Sequence, residues 1–321
     1  MDPQAGIQPK GKRAARLLGL AGFGVILIAA AIFFYAFWLR LPTGAGPAGS
    51  AVPVEPFARP WSDRQVVLLA LGDSVTAGYG AQPGKSYVAR LADNPPDEFP
   101  DMAGRCLRAV FPKLRTTNVA VSGSNSIQHL ESQLPALKPC TPEELGIVVI
   151  TTGGNDLIHW YGRRPPEEGA MYGATLEQAR PWIAAFERRL NTMMERIAAF
   201  FPGGCQIFLG NIYDPSDGLG QPSFSGLPPW PDGLSILAEY NAVIARCAER
   251  HPFVHLVDIH QAFLGHGFYC AQFWRSAYRP EDPHYWYYGN IEDPNERGYD
   301  AIRRLFLLKM IEVFAQNRTV G

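Results

Sequence analysis

Five short apolar runs, each of strand length and each followed by a helix-like stretch, constrain this chain more than anything else in it. They are Val66 to Leu71, Thr117 to Val121, Gly146 to Thr151, Cys205 to Ile212 and Phe253 to Val257. The stretches that follow are Tyr87 to Ala92 with Ala103 to Val110, Ser126 to Leu137, Leu176 to Phe200, Leu234 to Arg250, and Asn295 to Phe314. Alternation of this kind predicts an α/β fold with a parallel sheet, covered on both faces by helices that return through right-handed crossovers. At 321 residues and 47% hydrophobic, the chain has ample material for such a core. Ile183, Phe186, Leu190, Met193, Met194 and Ile197 read as the buried stripe of one covering helix.

The N-terminal region obeys different rules. Leu17 to Leu39 is uncharged and built from Leu, Ala, Ile, Val and Phe, with no polar stripe of the kind a core helix shows. At about 1.5 Å rise per residue it is long enough to cross a bilayer core of about 30 Å. Lys10, Lys12, Arg13 and Arg16 precede it, and after Arg40 no Lys or Arg occurs until Arg59. That asymmetry predicts a cytosolic N-terminus over residues 1–16, a transmembrane helix over 17–39 and everything later outside. A cleaved signal peptide is the rival, but its apolar region spans only about 7–15 residues. Residues 40–63 are rich in Pro, Gly and Ala and read as a tether, leaving 64–318 as the folded domain.

A formal net charge of -1 supplies no field for nucleic acid. Cys106, Cys140, Cys205, Cys247 and Cys270 show no metal-ligand spacing, so neither a metal nor another cofactor is expected. Export would permit disulfides, but an odd number of cysteines leaves at least one unpaired.

Chemistry concentrates at the ends of the first three strands. The first runs into Gly72-Asp73-Ser74, the second into Ser122-Gly123-Ser124, and the third into Gly153-Gly154-Asn155-Asp156. In a parallel sheet all three turns lie at the carboxyl edge, where ligands bind. Ser74 on a sharp strand-to-helix turn can present its hydroxyl as a nucleophile. Backbone N–H groups of small residues and the Asn155 amide can hold a tetrahedral oxyanion. Singly, each turn also reads as a helix cap or a tight glycine turn.

Together, GDSVTAGYG at 72–80, VSGS at 121–124 and GGND at 153–156 resemble the first, glycine and asparagine blocks of the SGNH or GDSL hydrolases. These are serine esterases and lipases on a flavodoxin-like three-layer α/β/α fold, and the resemblance spans about Val66 to Phe314. It implies Ser74 as nucleophile and an oxyanion hole formed by the Ser74 N–H, the Gly123 N–H and the Asn155 side chain.

The last block departs from the pattern. The family carries an Asp and a His three residues apart, and here Asn290 stands at the acid's place and Asp293 at the histidine's. A base from elsewhere must reach the carboxyl edge, and the resemblance implies that it comes from the segment between the fifth strand and the last helix, which leaves His260, His266 and His284. His284, in Glu281-Asp282-Pro283-His284, has acids beside it and is the expected general base, with Asp282 as its favoured partner and Glu281 and Asp293 as alternatives. His260, beside Asp258, is the next candidate. The aromatic and proline-rich stretches Tyr213 to Gly233 and Phe263 to Tyr288 are expected to shape the pocket.

The sequence therefore predicts a membrane-anchored serine ester hydrolase acting on a small-molecule, lipid or carbohydrate ester. An acyltransferase using the same residues, or a catalytically inactive binding module, are the alternatives.

Overall fold

The computed structural model describes residues 10–220 and 226–315. Its strands are β1 (Gln65–Gly72), β2 (Leu114–Asn118), β3 (Glu144–Thr151), β4 (Cys205–Gly210) and β5 (Val254–Val257). They form one sheet in the order β2-β1-β3-β4-β5, with every neighbouring pair parallel. The helices are α1 (Lys10–Phe34), α2 (Ser74–Ala77), α3 (Tyr87–Ala92), α4 (Leu107–Val110), α5 (Ser126–Gln128), α6 (Gly154–Ile158), α7 (Leu176–Phe200), α8 (Gly233–Arg250), α9 (Ile259–Phe263) and α10 (Glu296–Phe314).

Two cores flank the sheet. Val66, Leu68 and Ala70 of β1 pack with α3, α4 and α10, while Val67, Leu69 and Leu71 pack with α7 and α8. Because both faces are covered, the strand is apolar at every position rather than alternating. The expected stripe of α7 is buried from Ile183 to Ile197, and a capping box of Thr175 and Gln178 sets the helix start. Asn295 begins α10 by accepting from the N–H groups of Arg297 and Gly298.

Several elements differ from expectation: α4 begins at Leu107 rather than Ala103, β4 ends at Gly210 rather than Ile212, and two stretches differ more. Strand β2 lies three residues earlier than the apolar run at 117–121, because it is an edge strand with mostly exposed side chains. Val119 and Val121 continue past it, donating to Ala70 O at 2.9 Å and Gly72 O at 3.0 Å. Ser126 to Leu137 is not one helix but α5, a wide turn over His129–Gln133 and a tight turn over Leu134–Ala136. Pro135 has no N–H with which to continue a regular helix.

Residues 40–63 are not a loose spacer. Ala48, Val52, Phe57 and Trp61 are buried in the core beside α10. Arg297 donates to the carbonyls of Ala45 (2.9 Å), Gly46 (3.2 Å) and Pro47 (2.9 Å), and Asp300 accepts from Ala48 N at 3.0 Å. The Tyr285 N–H reaches Pro42 O at 2.7 Å. Proline and glycine denied this segment regular structure, so its carbonyls are satisfied by α10 instead. Ahead of it, α1 continues as a wide turn over Tyr35–Leu39. The span Leu18–Leu39 has mean hydropathy 2.4 and no burial, and among the described residues it is the one helix long and apolar enough to cross a membrane.

Removing Arg297 leaves three strap carbonyls without that donor and takes one of its partners from the Asp282 carboxylate. Arg297→Ala should therefore cost about 3 kcal/mol of stability and open residues 41–60 to limited proteolysis. Wild-type protease resistance there would contradict the clamped strap.

Candidate active site

Gly72 ends β1 at φ +141, and a Cβ on it would stand 2.2 Å from Thr151 O, so only glycine lets β1 and β3 approach this closely at the turn. Asp73 follows as the cap of α2, accepting from Val75 N at 3.2 Å. Ser74 is the first residue of α2, and its N–H has no acceptor within the helix.

Hydrogen bonds tie the three predicted turns to one another. Thr151 Oγ1 donates to Asp73 Oδ1 at 2.7 Å, the Ser124 hydroxyl reaches Gly72 O at 3.0 Å, and Asn155 Nδ2 donates to Ser124 O at 2.9 Å. One amide hydrogen of Asn155 remains for a ligand. Gly123 has φ +81 with open space where a Cβ would be, so its backbone conformation rather than crowding calls for glycine. The sheet thus brings Ser74, Gly123 and Asn155 to one edge.

Sequence reasoning missed the buried polar scaffold under these turns. His129 bridges Ser124 Oγ (2.9 Å) and Thr152 Oγ1 (2.8 Å), and burial pushes its pKa down to about 3, so it is neutral. Gln133 receives the Gly72 N–H at 3.0 Å and donates to Gly72 O at 2.8 Å. No sequence signal set these two apart, because Gln128, Glu131 and Ser132 lie in the same stretch.

The base expected from the sequence lies elsewhere. His284 Nδ1 donates to Asp282 Oδ1 at 2.5 Å, so the favoured pair does form, but its ring lies against the strap. A Cβ on Gly44 would come within 2.6 Å of His284 Cδ2. Although burial opposes it, His284 and Arg297 hold Asp282 below its ordinary pKa. Asp282 Oδ2 also accepts from Arg297 at 2.5 Å and Trp286 at 3.2 Å. His284 is absent from the walls of the cavity that contains Ser74, and the expected hydrogen bond between the two is not formed. The other candidates are likewise absent from the walls of that cavity: His260 Nδ1 donates to Ile212 O at 2.9 Å, and His266 Nδ1 donates to His284 O at 3.0 Å while stacking on Trp286.

The group facing Ser74 is Asp293. A turn with Ile291 at φ +67 and a bridge between Tyr287 and Pro294 fold the last block back over the sheet edge. Asn290 Nδ2 donates to Asp293 Oδ2 at 2.6 Å, whereas Asp293 Oδ1 is buried without a full hydrogen bond. Burial raises the Asp293 pKa, against the stabilising hydroxyl of Ser74 and the amide of Asn290. Burial also pushes Asp73 up to about 7, opposed by the Thr151 hydroxyl and reinforced by the negative charge of Asp293. Two buried carboxyls therefore share the neighbourhood of Ser74, and like charges disfavour ionising both.

Ser74 opens into a cavity of about 1200 Å³, including its mouth, walled by apolar groups such as Leu157, Ile158, Tyr172, Ile212, Trp230 and Leu237. The long stretch after Tyr213 supplies part of that wall, as expected, and Phe268 supplies another part.

A model of the GDSL-like lipase/acylhydrolase family matches residues 70–301. The chain belongs to that family. A GDSL-like hydrolase is an ester hydrolase, on the same α/β sheet seen here. Among solved structures, an extracellular lipase from Streptomyces rimosus is 22% identical with TM-score 0.51, covering 76% of this chain and 99% of that one. An acetyl xylan esterase from Geobacillus stearothermophilus is 20% identical with TM-score 0.48, covering 78% and 95%. A phospholipase A1 from Streptomyces albidoflavus is 18% identical with TM-score 0.49, covering 77% and 99%. No curated protein matches the sequence of this GDSL-like hydrolase.

The raised pKa of Asp73 has a definite sign in stability. Its ordinary value is 3.8 and its folded value about 7, so folding binds the proton more tightly. That contribution is complete below about pH 4 and is lost as the pH rises through about 7. Asp73→Asn keeps an acceptor for Val75 and Thr151, and its urea midpoint should fall less than that of the wild type between about pH 5 and about pH 8. Parallel curves would contradict the buried, proton-holding Asp73.

Proposed function

We propose that this GDSL-like hydrolase is a membrane-anchored serine esterase for substrates with an apolar acyl group, in which Asp293 takes the place of the usual imidazole base. The observation that carries the reading is the row Asn290, Asp293, Ser74: the first two stand at the acid and histidine positions of the last block, and Asp293 lies beside the Ser74 hydroxyl of the first.

In the acylation step Ser74 Oγ bonds to the ester carbon and passes its proton to Asp293. The oxyanion is held by the N–H groups of Ser74 and Gly123 and by Asn155 Nδ2. Collapse breaks the ester C–O bond, and the leaving alkoxide takes the proton from Asp293. Water then attacks the acyl-enzyme, again through Asp293, and the carboxylic acid leaves as Ser74 recovers its hydroxyl hydrogen. A carboxylate lacks the two nitrogens of imidazole, but the transfer needs one acceptor that can return what it accepts. Burial assists by raising its basicity towards the working pH. Asn290 holds the carboxylate as an acid would hold the imidazole. The apolar wall suits an acyl chain, and the uncharged span at 18–39 suits an anchor in the bilayer.

Ser74→Ala should abolish both turnover of a chromogenic acyl ester and labelling by a fluorophosphonate. Asn155→Ala should lower turnover by about 100 to 1,000-fold while leaving labelling detectable. Asp293→Asn should lower turnover by at least about 100-fold, whereas His284→Ala should remain within a few-fold of wild type once its folding is verified by circular dichroism. The reverse pattern, with His284 essential and Asp293 dispensable, returns the base to His284. A Ser74 that reacts with no ester and no probe in the wild type would make the chain a binding module. Product analysis with an added alcohol separates hydrolysis from acyl transfer.

A further inference from the structure

Beyond the single anchor, we propose that Phe273 and Trp274 form a second membrane contact, seating the catalytic domain on the bilayer at the depth where α1 leaves it. This rests on the membrane-anchor part of the proposed function.

The last turns of the apolar span and one loop of the domain meet through aromatic rings. Trp274 lies 5.7 Å from Phe33 and stacked on it, 5.1 Å from Phe37 and 5.4 Å from Trp38. Phe273 meets Phe37 edge-on at 5.7 Å, and Gln272 Nε2 donates to Phe37 O at 2.9 Å. Despite these contacts Phe273 stays 60% exposed and Trp274 40%, continuous with exposed Phe33, Phe34 and Tyr35. Rings left this open on a folded domain mark a surface that something apolar covers.

Position identifies the cover. The span ends at Leu39, so a helix that crosses the bilayer holds Phe37 and Trp38 at its interface. Whatever touches those rings lies at the same level. Aromatic side chains, and the indole above all, favour that zone because an apolar body and a polar N–H can each meet a matching environment there.

The domain can hold this pose because both routes to the rings are stiff. Behind them, the buried Asp217 carboxylate accepts from the N–H groups of Gly265 (2.9 Å), Gly267 (2.8 Å) and Tyr269 (2.9 Å). In front of them, the strap that leaves the helix is clamped from Pro42 to Ala48. Phe268, on the loop so held, is also part of the cavity wall, which connects the membrane contact to the ester site. The consequence is that esters dissolved in the same bilayer reach a cavity kept at a fixed height above it.

The test uses the full chain in phosphatidylcholine vesicles, either unmodified or brominated on the acyl carbons nearest the headgroup. Of the seven tryptophans, Trp38 reports the anchor and Trp274 the proposed contact. Trp38→Phe and Trp274→Phe should each remove a share of the bromolipid quenching, and Phe273→Asp should both reduce quenching and shift emission to the red. Full quenching in Trp274→Phe and Phe273→Asp, with a loss in Trp38→Phe, would overturn the second contact and leave the anchor standing. No quenching of Trp38 would overturn the anchor together with it. Turnover of a water-soluble ester, unchanged in the variants, confirms that they are folded.

Discussion

Everything at the site depends on the peptide at Gly72. Its N–H and carbonyl are gripped by Gln133, its carbonyl also takes the Val121 N–H and the Ser124 hydroxyl, and its Cα lies against Thr151 too closely for any side chain. Three strand ends are thereby fixed around one residue, and Ser74 stands two positions beyond it. A nucleophile that must meet an ester carbon and an oxyanion hole within a few tenths of an ångström needs such a fixed origin. Buried amide and hydroxyl groups provide it because each would be costly to leave unpaired.

The same economy of buried polar groups shapes the electrostatics. Among the described residues no cation pairs with Asp73 or Asp293: the first accepts from a hydroxyl and an N–H, the second from the Asn290 amide, with the Ser74 hydroxyl beside it. In a low-dielectric pocket that arrangement favours one negative charge over two. Burial raises both carboxyls, Asp73 to about 7, so the pair resists carrying two charges beside the Ser74 hydroxyl. The basic side chains that a sequence reader would look for nearby serve other ends. Arg297 clamps the strap, and Arg303 and Arg304 are buried against Asp300, Glu98 and Asp101.

Much of this was legible in the residues. Strands β1, β3 and β4 and helices α7 and α8 follow from apolar runs and helical stripes, because central strands and covering helices bury the residues that pattern reading detects. The edge strand β2 was displaced because Arg115, Thr116 and Asn118 are exposed and carry little signal. The strap was legible as irregular but not as packed, since its partners lie some 250 positions away in α10. At the site, the three small-residue turns do meet at one sheet edge, as their places at strand ends implied. Seeking a histidine as the base led to His284, whose pairing with Asp282 does form but whose ring braces Gly44. On the proposed reading, position in the last block is the better guide, because the fold returns that block to Ser74.

The central claim is that a carboxylate drives Ser74 from the place of an imidazole. The most direct measurement is the pH dependence of the rate at which a fluorophosphonate inactivates the enzyme, compared between the wild type and the double substitution Asn290→Asp with Asp293→His. The account predicts that the rise in rate in the double variant moves to the imidazole range, near about 6.5, because the titrating base has been exchanged. An identical profile in both proteins, abolished in each by His284→Ala, would contradict it.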